Sequence, residues 1–239
     1  MDATSTGNTA FNTAYNDQSN VNASRGLSDY DRPHRLSVSY SYELPLFAHA
    51  TGITHAALGG WQVSGVTTFQ SGTPFSIFDS AAGTAFLGAG STPLLGASLA
   101  SGATIASGLT HGDIHQRING YLNPAAFTTA PQLYPALCAA DTTGNFCGTD
   151  FGDLGRNIYR GSFQQNWDFS LIKHFSIKER QDLRFTADFF NLWNHVNFAN
   201  PAVTDIEAYL ASPTNSPFGQ IVNTKGTPRL IQFSLRYAF

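Results

Sequence analysis

His111, Asp113 and His115 are the side chains in this sequence whose types and spacing could bind a metal ion. Imidazole and carboxylate groups are both transition-metal ligands, and the three residues alternate along a short segment. The segment lies beside Arg117, with no cysteine and no third histidine nearby, so a solvated loop is the favoured interpretation. We therefore predict no metal site and no cofactor.

The sequence also lacks clear motifs of a catalytic site. The string FGDLGRN at residues 151–157 contains glycines but lacks the lysine of a phosphate-binding loop. No serine, histidine and aspartate follow a recognisable catalytic order. His34, His174 and His195 fall near predicted strand ends, where packing or hydrogen bonding is favoured over catalysis. The sequence therefore predicts that the protein is not an enzyme.

Composition narrows the class of protein. Only 12% of the 239 residues are charged, whereas 13% are aromatic, which argues against a disordered chain and against a helical bundle. The net charge is −3 and no basic stripe occurs, so no nucleic-acid partner is expected. The polar N-terminus has neither a basic start nor an apolar core and predicts no signal peptide. The uncharged segment 80–112 is too rich in small residues to predict a spanning helix.

The elements that would position these residues are strands. Apolar and polar residues alternate with period two in five segments, a pattern typical of strands with two different faces. The strands are predicted near residues 34–44, 60–78, 166–177, 182–194 and 229–239. An irregularity is expected at Pro74, a long loop at 79–165, and an extracellular loop or disordered stretch at 1–29. The predicted fold class is therefore all-β, with an antiparallel up-and-down sheet.

Alternation alone does not separate a soluble sandwich, whose apolar face is its core, from a transmembrane barrel, whose apolar face meets lipid. Three features favour the barrel. The strands are about ten residues or longer, the length needed to cross a bilayer at a tilt. Aromatic residues lie near strand ends, as an interfacial girdle requires. Short and long connections alternate, as they do on the two sides of a bacterial barrel.

In that arrangement the last strand runs toward the periplasm. Connections 48–59 and 178–181 are then expected to be periplasmic, and the connections 78–165 and 195–228 extracellular. Charged residues on the polar face would line the lumen, where they would pair across neighbouring strands or contact a plug. These residues are Asp168, Asp182, Arg184, Asp188 and Arg236. Lys173 falls on the apolar face near the predicted periplasmic boundary, where we expect its side chain to snorkel.

Eight short strings carry a resemblance to a known family. They are DYDRPHRLSVSYSYELP (29–45), GGWQVSGVTTFQSGTPF (59–75), NPAAF (123–127), FGDLGRN (151–157), WDFSLIKHFSI (167–177), FFNLWNHVNFANP (189–201), FGQI (218–221) and PRLIQFSLRYAF (228–239). In this order they resemble the C-terminal part of the barrel of a TonB-dependent outer-membrane receptor, most closely of the Oar-like group. The resemblance implies that residues 30–239 are a portion of a 22-stranded barrel. Such a barrel encloses a plug and imports a ligand on energy relayed by TonB.

The sequence contains no plug, no TonB box and about five of the 22 strands that the resemblance implies. Five strands cannot close a barrel in lipid, because an open edge leaves backbone groups unpaired at a cost of several kcal/mol each. We therefore expect a fragment of a larger reading frame, located in the bacterial outer membrane. The alternatives are a small outer-membrane protein that closes a barrel by oligomerising and a secreted soluble β-sandwich binding module.

The last strand carries a further expectation. By resemblance to outer-membrane proteins, Phe233, Leu235, Tyr237 and Phe239 would be the signal that the barrel-assembly machinery reads. Contact with lipid alone is the alternative, and both roles are compatible. The expected partners are thus the lipid bilayer, this machinery and the remainder of the receptor with its plug. TonB would be reached through the missing N-terminal part.

Cys138 and Cys147 are the only cysteines. A disulfide requires an oxidising compartment, which the outer-membrane interpretation supplies. We therefore expect the two residues to form a disulfide, with two free thiols as the alternative.

Overall fold

The computed structural model describes residues 17, 20, 22, 25–46, 52, 54, 58–87, 95–143, 147–178 and 181–238. Contacts divide the chain into two units. The sheet unit comprises Pro33–Ser71, Phe163–Asn197 and Lys225–Phe239, and the loop unit comprises Met1–Arg32, Gly72–Ser162 and Phe198–Thr224. In the described ranges, no helix has the length and apolar character needed to cross a bilayer.

The elements are mostly strands. In chain order they are β1 Arg35–Leu44, β2 Trp61–Gln70, β3 Pro74–Phe75, β4 Phe78–Asp79, β5 Leu95–Gly96, β6 Ser98–Leu99, β7 Phe127–Thr128, β8 Tyr159–Arg160, β9 Gln164–Lys178, β10 Gln181–Phe190, β11 Asn197–Phe198, β12 Thr224–Lys225 and β13 Leu230–Ala238. The helices are short: α1 Thr84–Leu87, α2 Ile114–Arg117, α3 Pro135–Ala140 and α4 Ile206–Ala211, with 3₁₀ turns at Ala106–Gly108 and Pro124–Ala126.

The sheet unit is built on a five-stranded antiparallel sheet in the order β1-β2-β9-β10-β13. All five predicted strands are therefore present. Each is 9 to 15 residues long, and 9–11 tilted residues suffice to cross a bilayer. Consecutive strands pair with continuous register, apart from one shift between Gln181 and Asp182. Within the described residues, the outer strands β1 and β13 pair on one side only.

Register aligns the apolar positions of all five strands on one face, because successive side chains point to opposite sides of a strand. This face carries Leu36, Val38, Tyr40, Tyr42 and Leu44; Trp61, Val63, Gly65, Thr67 and Phe69; Gln165, Trp167, Phe169, Leu171, Lys173 and Phe175; Leu183, Phe185, Ala187 and Phe189; and Ile231, Phe233, Leu235 and Tyr237. Many of these side chains are exposed, among them Leu36 at 57% and Phe233 at 67%. The sheet unit thus presents an apolar face that its own residues do not cover.

Aromatic residues fill the apolar face across strands. The Phe185 and Phe233 rings stack at 6.1 Å between centroids. Tyr40 lies directly opposite Gly65, and a Cβ on Gly65 would be 2.6 Å from the Tyr40 hydroxyl oxygen. The glycine therefore leaves room for the tyrosine ring to cover its backbone, an arrangement that protects a glycine within a strand.

Two strand ends differ from the sequence prediction. The second strand ends at Gln70 rather than near residue 78, and Pro74 begins the separate pair β3–β8. Proline lacks the amide that a continuing ladder needs, which explains the break. The fourth strand ends at Phe190 rather than near residue 194, because Asn191 adopts a φ of 50° and begins a turn. Asparagine is among the few residues that tolerate this left-handed conformation.

The loop unit has a hydrophobic core of its own. Buried residues from all along its length form it: Phe75, Ile77, Ala97, Tyr121, Leu122, Ala126, Phe127, Leu154, Tyr159, Ile206, Phe218 and Ile221. The pairs β3–β8, β4–β5 and β6–β7 lie around this core. The segment predicted as a long loop is thus a folded structure with buried side chains.

Tyr159 is buried in this core, and its hydroxyl group is hydrogen-bonded. Its ring stacks on Phe75 at 5.9 Å, and its hydroxyl donates to the Ile105 carbonyl at 2.8 Å. Burial raises the pKa of Tyr159 to about 12, so the hydroxyl stays protonated and keeps this hydrogen bond. A buried polar group is stable only when it is paired in this way.

Within the loop unit, residues 25–32 are held to residues 156–160 by polar contacts. Asn157, at a φ of 55°, donates from Nδ2 to the Leu27 carbonyl at 2.7 Å. Asp29 forms an ion pair with Arg156 at 3.5 Å, and Asp31 forms one with Arg160. Strings 29–45 and 151–157, which the sequence resemblance singled out, therefore meet within one hydrogen-bonded cluster.

Candidate functional site

The second face of the sheet collects the polar positions. It carries Arg35, Ser37, Ser39, Ser41 and Glu43; Gln62, Ser64, Val66, Thr68 and Gln70; Gln164, Asn166, Asp168, Ser170, Ile172 and His174; Asp182, Arg184, Thr186, Asp188 and Phe190; and Leu230, Gln232, Ser234, Arg236 and Ala238. All five charges predicted for the lumen lie on this face. Serine, threonine and carboxamide groups dominate the rest of it.

Neighbouring strands on this polar face share hydrogen bonds between side chains. Gln62 Nε2 donates to Ser41 Oγ at 2.9 Å, and Gln70 Nε2 donates to Gln164 Oε1 at 3.2 Å. The Ser170 hydroxyl donates to the Asp188 carboxylate at 2.5 Å. Cross-strand pairs of this kind stabilise a sheet and fix its register. They also hold the polar side chains in defined positions.

Arg184 and Arg236 are not paired with aspartates as predicted. They lie directly opposite each other on β10 and β13, and among the described residues neither forms an ion pair. Arg184 Nε also has no hydrogen-bond partner among the described residues. Asp182 instead lies 3.7 Å from His174 Nδ1, a contact that is an ion pair only when the imidazole is protonated. Register places these like charges together, so the described residues show no pairing of opposite charges for either arginine; contact with a plug stays a prediction.

Asn191 is the residue that the sequence analysis missed. It is 5% exposed, and its Oδ1 accepts from the His195 amide at 2.8 Å. Its Nδ2 donates to the carbonyl oxygens of His195 at 3.0 Å and of Thr227 at 3.1 Å. The Asp168 carboxylate accepts from the Asn191 amide at 3.0 Å. Asn191 thus joins the turn after β10 to the connection before β13, and only its position in an Asn-rich string hinted at a turn.

Lys173, which is expected to snorkel toward the periplasmic boundary, is enclosed by protein in the structure. It is 1% exposed, and its Nζ donates to the Gly59 carbonyl. The same Nζ lies 4.8 Å from the Phe175 ring centroid and 5.6 Å from that of Trp61. A carbonyl and two ring faces therefore surround the ammonium group, a favourable environment for a cation beside apolar surface.

The predicted assembly signal has its described residues on one face of β13. Phe233, Leu235 and Tyr237 are 67%, 67% and 49% exposed. Phe239 lies outside the described residues. An exposed apolar row on an edge strand offers both side chains and backbone groups to a partner strand.

The cysteine pair and the residues weighed as metal ligands lie in the loop unit. Cys138 and Cys147 are joined by a disulfide. Asp113 caps α2, since its carboxylate accepts from the His115 amide at 2.8 Å, and the His115 ring meets Phe198 edge-on at 5.3 Å. In the described ranges, no group of three or more histidine, cysteine, aspartate or glutamate side chains could hold a metal ion.

A sheet of five long antiparallel strands, with one exposed apolar face and one polar face, is typical of a membrane-spanning β-sheet of the barrel class. Comparison with family models agrees with this class. The chain belongs to the family described as the outer membrane beta barrel domain, whose model matches residues 1–232. The protein is therefore an outer-membrane β-barrel protein, located in the bacterial outer membrane. Comparison with curated proteins and with solved structures found no match.

Proposed function

We propose that the chain forms part of the barrel wall of a TonB-dependent receptor of the Oar-like group, which takes up a ligand across the outer membrane. The observation that carries this proposal is the ordered series of eight strings, five of which contribute to the long strands of the sheet. Family membership supports an outer-membrane barrel, and the receptor class rests on the resemblance.

In this proposal the two faces of the sheet have separate roles. The exposed apolar face contacts lipid, and the polar face lines the aqueous lumen. The edge strands β1 and β13 pair with further strands, since an unpaired edge in lipid is too costly. The plug and TonB act through parts of the receptor outside these residues.

An immunoblot of outer membranes tests the receptor class. An antibody against residues 147–157 should detect a band several times larger than the 25.7 kDa of this chain, because a receptor contains many more strands and a plug. A band at 25.7 kDa would contradict the proposal and favour a small barrel that closes by oligomerising. Cells should also stop taking up the receptor's ligand when TonB is deleted, whereas the amount of this protein in the outer membrane should not change.

We also propose that β13 is recognised by the barrel-assembly machinery through strand addition. Its exposed row, Phe233, Leu235 and Tyr237, supports this role. Deleting Phe239 should lower the yield of protein assembled in the outer membrane, while deleting a residue of the exposed turn at Gly102 should not. Equal yields for the two deletions would contradict the role of the terminal residue.

A further inference from the structure

A small polar cleft opens at the end of the sheet where β2 ends and β9 begins. Its volume is about 230 Å³. Thr68, the connection 225–227 and five residues of the carboxamide type line it: Gln70, Gln164, Gln165, Asn166 and Asn197. Of these, Gln165 has its side chain on the opposite face of β9 from Gln164 and Asn166. All of these residues belong to the sheet unit. In the predicted topology this is the extracellular end, where an incoming ligand first meets the polar face.

The lining of the cleft is polar and almost free of charge. No carboxylate is among the lining residues, and Lys225 is the single charged side chain. A carboxamide presents two N–H donors and an acceptor oxygen side by side. Sugar hydroxyls on adjacent carbons also act as donor and acceptor side by side, so several carboxamides around one space match a polyhydroxylated ring.

The carboxamides are held in place before any ligand binds. The Asn197 side chain forms two hydrogen bonds with the Gln165 backbone: it accepts from the backbone amide at 2.9 Å and donates to the carbonyl at 2.8 Å. Asn166 Nδ2 donates to the Asp168 carboxylate at 2.8 Å, and Gln70 donates to Gln164. Restrained side chains lose less conformational entropy on binding, which favours affinity for a ligand of matching shape.

The connection that closes the cleft is also fixed. The Thr227 carbonyl accepts from Asn191 Nδ2 at 3.1 Å, and Asn191 is itself tied to His195 by two hydrogen bonds. The wall formed by residues 225–227 is thereby attached to the turn that follows β10. The cleft is a consequence of tertiary hydrogen bonding rather than of one strand.

We propose that this cleft binds one ring of a neutral sugar. Its volume lies below the roughly 300–1,000 Å³ of pockets for drug-sized ligands, so it accommodates a single small polar unit. A peptide would use an extended groove or a strand edge, and protein sites for divalent cations usually include carboxylates, of which the lining has none. The inference rests on the proposed uptake function, in that it names the ligand class of the polar face.

The test uses the complete gene product, purified in detergent from outer membranes. Binding of maltotriose, cellotriose, a galactose trisaccharide and trialanine is measured by isothermal titration calorimetry. We expect saturable binding of at least one sugar and none of trialanine. Gln70→Leu should weaken sugar binding at least tenfold, because it removes a carboxamide from the lining together with its hydrogen bond to Gln164.

Gln62→Leu is the matched control, since Gln62 is the same residue type on the same face and strand but at the other end. It should leave sugar affinity unchanged. Gln70→Glu is a second variant, similar in size, that keeps the test valid if the leucine variant folds poorly; it should weaken binding as well. Absence of sugar binding, binding of trialanine alone, or equal losses in the Gln62 and Gln70 variants would overturn the inference.

Uptake by cells separates this inference from the proposed function. Sugar binding in detergent without TonB-dependent uptake would support the cleft and contradict the receptor. TonB-dependent uptake of a ligand that is not a sugar, with no sugar binding by the purified protein, would contradict the cleft alone.

Discussion

Replacing Asn191 removes the hydrogen bonds that join the turn after β10 to the connection before β13. The side chain makes three of them: to the His195 amide, to the His195 carbonyl and to the Thr227 carbonyl, at 2.8, 3.0 and 3.1 Å. The residue is buried and adopts a φ of 50°. The loss of side-chain hydrogen bonds can therefore be separated from backbone strain. A glycine at this position loses the hydrogen bonds but adopts the left-handed conformation freely, whereas an alanine loses the hydrogen bonds and also strains the backbone.

The structure sets the size of each effect. Three intramolecular hydrogen bonds at about 0.5–1.5 kcal/mol each give a loss of about 1.5–4.5 kcal/mol for Asn191→Gly. Asn191→Ala should lose a further 1–2 kcal/mol or so, since a left-handed conformation costs about that much for a residue with a Cβ. Asn194 is the matched control, because it has a φ of 52° in the same turn and makes one side-chain hydrogen bond, to the Arg229 amide. Asn194→Gly should therefore cost only about 0.5–1.5 kcal/mol.

Urea unfolding in lipid vesicles measures these free energies, and hydrogen exchange at the His195 amide reports the local bond. We expect the order of stability to be wild type, Asn194→Gly, Asn191→Gly and Asn191→Ala, with fast exchange at His195 in both Asn191 variants. Equal stabilities for Asn191→Gly and wild type would refute the argument that the side-chain bonds stabilise this turn. Equal stabilities for the glycine and alanine variants would refute the argument from backbone conformation.

Three further substitutions test the two units. Gly65→Ala should destabilise the sheet by about 1–3 kcal/mol, because its Cβ would overlap the backbone carbonyl oxygen of Asp168 and the ring of Tyr40. Gly120→Ala, whose Cβ meets no atom within 4 Å, should be near neutral in the same urea assay. Burial raises the pKa of Asp79. Folding therefore favours its protonated form, and stability should fall as pH rises from its usual pKa to the raised one. Asp79→Asn should flatten that fall in urea titrations across pH. Arg184→Gln should stabilise the sheet by about 0.2–1 kcal/mol, by removing the like charge opposite Arg236, and added salt should shrink the gain. A gain independent of salt would contradict that cause.

The alternation of residue types was enough to find the sheet. Five predicted strands are present, and residues as far apart as Asp168, Arg184 and Arg236 lie on the face to which the sequence assigned them. Strand periodicity is a local property, because each side chain points opposite to its neighbours whatever the strand pairs with. The character of both faces could therefore be predicted without knowing the order of strands.

The core of the loop unit could not be predicted in this way. Leu122, Leu154 and Ile206 are buried together although they lie far apart in the chain and in segments predicted as loops. These segments are rich in glycine, serine and proline, so a pattern search predicts loops there. Burial there depends on long-range packing, which leaves no periodic trace in the sequence.

For the candidate site, too, some features follow from the sequence and others only from the tertiary structure. The sequence by itself determined that the strands have one apolar and one polar face, and which side chains belong to each. Only the tertiary structure decided that Arg184 faces Arg236, that Asn191 holds the Thr227 connection, and that carboxamides from separate segments surround one cleft. The physical reason is that residue type and strand period fix the direction of a side chain, whereas its partners are set by register and by turns that close over many residues.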